Sequence, residues 1–98
     1  MKLFDYECFT TFWNDFSIAE NFGIPAIKDT YSRAFKEWKH DYKYLTELVM
    51  VLNHKLWWWC EKNDAITQVY NDLWIKASAY AETHLKGDEL SYYFRITD

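Results

Sequence analysis

Glycine and proline together occupy only three positions in this chain, Gly23, Pro25 and Gly87, and that scarcity limits its fold more than any other feature. A β-domain of this size needs a turn about every 8–12 residues, each with its own turn chemistry. The residues for those turns are missing, so long helices with few connections are the expected architecture. Glycine-rich phosphate cradles are excluded on the same ground.

A chain of 98 residues makes one domain, expected to span 1–98. A domain this small buries only about 60–65% of the surface its unfolded chain exposes, so it depends on a dense core. Phe, Trp and Tyr, 21% of the residues, supply one, since each buried ring removes roughly 150–250 Å² from water.

Apolar spacing then marks the helices. The first eight residues show no period and read as a ragged start or a short extension. From Phe9, the residues Phe9, Phe12, Trp13, Phe16 and Ala19 follow helical spacing, and Gly23 suits the position just past the helix end. Pro25 fits the first turn of a second helix, whose stripe is Ile27, Tyr31, Ala34, Phe35 and Trp38. The phase is lost near His40, and Asp41 can cap a third helix running to about Lys62. Its main face is Leu45, Leu48, Val49, Leu52, Leu56, Trp59 and Cys60. Asn63 or Asp64 caps a fourth, with Ile66, Val69, Tyr70, Leu73, Ala77, Tyr80, Ala81 and His84 on one face and Gly87 at its end. The tail from Asp88 reads as one or two further helical turns, or as a strap. The fold class expected is all-α, a compact bundle of about four amphipathic helices.

The third helix carries more apolar surface than one core face requires. Its reverse side bears Met50, Val51, Trp57 and Trp58 among Glu47, His54 and Lys55. A helix apolar nearly all round is buried on both sides, so one explanation is a helix running through the middle of the domain. The other is an exposed aromatic face that binds a second protein or a second copy of this chain, because Trp and Met are enriched at interface centres. On that reading Met50, Val51, His54, Trp57 and Trp58 form the contact.

Catalysis finds less support. His54 is the best placed of the three histidines, yet Glu47 stands two turns away, about 10 Å along the axis. His84 reads as a hydrogen-bonded core residue and His40 as a surface one. A small-ligand or enzymatic site using His54 and Cys60 remains a third alternative across helices. The repeated Glu-x-x-His element of a bundle-type metal site does not occur, and no cofactor is expected. Cys8 and Cys60 match no metal spacing. With no leader pattern ahead of them, they read as reduced thiols of a cytoplasmic protein. Leu48 to Leu52, an apolar run as long as any in the chain, is too short to span a bilayer.

Charge adds one exclusion. The formal net charge is −4. Residues 28–43 set Lys28, Arg33, Lys36, Lys39 and Lys43 against Asp29, Glu37 and Asp41, while both flanking stretches are acidic. One mildly basic helix in an acidic chain argues against nucleic acid as a partner. Those cations read as a solvated face with local pairs such as Arg33 with Glu37.

The runs IKDTYSRAFKEW (Ile27 to Trp38), DYKYLTELVMVLNHKLW (Asp41 to Trp57) and LKGDELSYYFRITD (Leu85 to Asp98) resemble small uncharacterised proteins carried by phages and integrative elements of gut Firmicutes. The likeness covers most of the chain and brings no known activity or site residues with it. Small acidic proteins of mobile elements include inhibitors of host defence, of anti-CRISPR and anti-restriction type. The resemblance thus gives the binding hypothesis a specific form, a module that occludes a host enzyme.

Overall fold

The computed structural model describes residues 6–97, so most of the ragged start expected of residues 1–8 lies outside the described residues. Five helices follow in order: α1 (Tyr6–Glu20), α2 (Ile24–Trp38), α3 (Tyr42–Trp59), α4 (Asp64–His84) and α5 (Asp88–Thr97). No strand occurs among the described residues. The tail is thus a helix of its own, anchored by buried Tyr92 and Tyr93.

The connections are short and chemically explicit. Gly23 has φ 104° and ψ 178°, a conformation open to glycine without strain, and it starts α2 with Pro25 in the first turn. The loss of phase near His40 is a true break. Asp41 is extended, and its Oδ1 accepts from the N–H groups of Lys43 and Tyr44 at 3.1 and 3.2 Å. Asn63 Oδ1 accepts from Ile66 N at 3.0 Å and caps α4. Gly87 departs from expectation. Leu85, extended and buried, ends α4, whereas Gly87 (φ 61°) opens α5 and its carbonyl accepts from Ser91 N. Replacing Asp41 by Ala should cost about 1 kcal/mol, because two amide donors lose their acceptor. Urea unfolding followed by circular dichroism measures it, with Asp41→Asn expected to retain most of the stability.

α3 lies against each of the other four helices, most extensively against α4. Leu45, Thr46, Glu47, Leu48 and Val49 are five consecutive buried residues, more than one full turn, so over that stretch the helix has no solvent side. Around it close Phe12 and Phe16 of α1, Ile27 and Tyr31 of α2, and Tyr70, Leu73 and Ala77 of α4. The Cα radius of gyration is 12.9 Å, near the ~13 Å of a compact domain of about 100 residues. Toward its C-terminus α3 emerges, and Trp57 and Trp58 are 68% and 53% exposed.

Two side-chain expectations change. His84 is exposed rather than in the core, stacked on Tyr80 with ring centroids 3.9 Å apart. The buried face of the helix runs through Ala81 and Leu85, and His84 stands about 60° round the helix from Ala81, on the solvent side. Arg33 pairs backward with Asp29 at 2.9 Å instead of forward with Glu37. Both side chains are well exposed, so this pair adds little stability.

Candidate protein-binding face

The reverse side of α3 divides into three. Glu47, Val51, Lys55 and Trp59 are spaced by four and form one ridge of the helix. The first three are buried, and the last two reach α1. Val51 therefore belongs to the interior and not to the exposed face expected for it. Met50 turns another way, into a hollow of about 240 Å³ shared with Trp74 of α4 and Phe94 of α5. His54, Trp57 and Trp58 stay together at the surface beside Trp13 of α1.

Sequence reasoning placed Phe9 and Trp13 on the core stripe of α1, and both are half-buried at its edge. Phe9 meets the His54 ring edge-on at 5.2 Å, and Trp13 meets Trp58 edge-on at 6.3 Å. The signal for their role was the i, i+4 spacing of two rings at the margin of the stripe. Each tryptophan of this pair is braced by an ammonium. Lys62 Nζ lies 4.3 Å from the Trp58 ring centroid and donates to the Trp58 carbonyl at 2.7 Å. Lys55 Nζ lies 3.9 Å from the Trp13 centroid. Cation–π contacts of this kind contribute about 0.5–1 kcal/mol at exposed sites and more when desolvated.

Lys55 is also the centre of a buried polar cluster beneath the rings. Its Nζ donates to Ser17 Oγ at 2.7 Å and lies 3.1 Å from Glu20 Oε2. That same carboxylate accepts from Trp59 Nε1 at 3.0 Å and from the Tyr70 hydroxyl at 2.5 Å. One carboxylate at the end of α1 thereby ties α1 to α3 and α4. Burial lowers the Lys55 pKa, against the opposing hydrogen bond and charge of Glu20.

Two phenols are pushed upward. Burial takes Tyr31 to about 12, and Tyr70 rises through burial first, then through its bond to Glu20 and the charge there. A phenol whose folded pKa exceeds the ordinary 10 keeps its full stabilising effect below pH 10, and the effect is lost as pH climbs through the folded value. Lys55 acts in the opposite sense only at and below its ordinary 10.5. The unfolding free energy from urea titration should therefore fall between pH 10 and pH 12, by on the order of 2 kcal/mol from Tyr31 alone, and the midpoint with it. Tyrosinate absorbance should rise together with unfolding; a midpoint that stays level to pH 12 would mean the phenols ionise within the fold.

Among the described residues, His54 and Cys60 are not brought together. Cys60 lies six residues beyond His54, about 120° round the helix, and its thiol contacts the Trp57 carbonyl at 3.1 Å. It lines neither hollow that His54 lines. Cys8 and Cys60 form no disulfide. Among the described residues no group of three or more His, Cys, Asp and Glu side chains is arranged to hold a metal ion. No helix there is long and apolar enough to cross a membrane. Comparison with family models, with curated proteins and with solved structures finds no match.

Proposed function

We propose that this chain is a non-enzymatic protein-binding module whose contact face is the emergent end of α3, with His54, Trp57 and Trp58 flanked by Phe9 and Trp13. The observation that carries this reading is the adjacent pair Trp57 and Trp58, both more than half exposed on a chain whose interior is filled by other rings. Single exposed apolar residues are ordinary on protein surfaces; neighbouring tryptophans that share a surface with two more rings are the composition of an interface centre. The bracing of Trp13 by Lys55 and of Trp58 by Lys62 supports it further. Rings already held in place lose less side-chain entropy when a partner covers them.

The resemblance to mobile-element proteins suggests the partner, a host defence enzyme of CRISPR or restriction type that the module occludes. The test is capture of host proteins on the immobilised chain, with Trp58→Glu in parallel, after light scattering has established the mass of the free protein across a wide dilution series. A monomer that retains a defence enzyme, and loses it on the substitution, carries the reading. A dimer that persists on dilution and is broken by the substitution gives the face to a second copy of the chain instead.

A further inference from the structure

Beyond that face, we propose that the open groove between α1 and α2 is a second, independent docking site, for a basic amphipathic helix of about three turns belonging to a partner protein. The groove measures about 670 Å³ and runs along the outer side of the helix pair. Its lining positions on α1 and the turn that follows include 11, 15, 18 and 22; on α2 they include 26, 30, 33 and 37. Both rows advance by four, three and four residues, the rhythm of a seam into which another helix lays its side chains. From 26 to 37 the row is about 16 Å long, three turns of helix.

The chemistry of the groove selects the occupant. Its floor is apolar, with Phe12 and the small residues Ala19, Ala26 and Ala34, which permit close approach of a backbone. Ile18 and Phe22 rise along one wall, 59% and 76% exposed, and Phe22 is the most exposed large apolar side chain among the described residues. The rim is acidic. Asp15, Asp29 and Glu37 line it, and the single cation, Arg33, is already engaged by Asp29. Asp15 and Glu37 have no cationic partner among the described residues. An apolar trough with two uncompensated carboxylates on its rim complements a helix with an apolar stripe flanked by lysine or arginine. Trp13 and the α3 face lie on the other side of α1, so the two sites do not overlap.

The probe is a labelled synthetic helix of about four turns, with leucines in the four–three–four rhythm and lysines elsewhere, titrated with the full chain and read by fluorescence anisotropy. Two comparators are a peptide of the same composition with its leucines scrambled, and one with glutamate in place of lysine. Both should bind at least about tenfold more weakly, as should the basic peptide to Phe22→Ala and to Asp15→Lys/Glu37→Lys; tenfold corresponds to about 1.4 kcal/mol. Trp58→Glu should leave the affinity within about twofold, which separates this site from the α3 face. Equal binding of the scrambled peptide, indifference to either groove variant, loss of binding on Trp58→Glu, or no binding at all would overturn the proposal. So would a wild-type dimer that Phe22→Ala converts to monomers, since a second copy would then be the occupant.

Discussion

Replacing Lys55 by Met is expected to destabilise the protein by about 3–5 kcal/mol, a large part of the roughly 5–15 kcal/mol that holds a domain of this kind together. The volume of the side chain is nearly kept, so the loss is electrostatic. Glu20 would retain its bonds from Trp59 and Tyr70, but its charge would face the interior without the ammonium that balances it, and Ser17 and Trp13 would lose their contacts with Nζ. Urea unfolding followed by tryptophan fluorescence measures the effect. The double variant Lys55→Met/Glu20→Gln should be less damaged than the sum of its parts by more than about 1 kcal/mol, because a neutral amide still accepts from Tyr70 and Trp59. A loss under about 1 kcal/mol in the single variant would show that the ion pair is solvated in solution.

Trp58→Glu is the corresponding substitution for function. Truncating an aromatic anchor at an interface centre costs about 2–4 kcal/mol, roughly 30- to 1,000-fold in affinity, and a carboxylate placed there adds the cost of desolvating a charge. The fold should survive. The ring is half exposed, its edge contact with Trp13 contributes about 0.5–1.5 kcal/mol, and the introduced acid stands four residues before Lys62, whose ammonium already lies over that position. Far-UV circular dichroism should be unchanged while partner capture is lost. Retained capture would remove the α3 face as the binding surface.

The helices were legible in the sequence because their signals are local. Apolar spacing, Pro25, and the acceptors at Asp41 and Asn63 act over a turn or less, and the residues that carry them stand at the observed ends. What surrounds a helix is not local. Val51 and Trp58 differ little in angle about α3, yet one is buried and the other exposed, because the interior ends between them. Lys55 and Glu47 read as solvent-side residues by type. Burial of Lys55 depends on Ser17 and Glu20, more than thirty residues earlier in the chain, and no periodicity registers such a pairing. Gly87 was assigned to the end of α4 by residue type, whereas Leu85, drawn into the core, ends that helix first.

The separation of Glu20 from its partners also sets a schedule. Its bonds reach 35, 39 and 50 residues forward, to Lys55, Trp59 and Tyr70. At a synthesis rate of about 5–20 residues per second, α1 waits roughly 3–10 s on the ribosome before Tyr70 has been added. A helix of 15 residues is marginal alone in water, so α1 has only α2 to pack against at first, and its carboxylate is fastened last by a helix made about half a chain length after it.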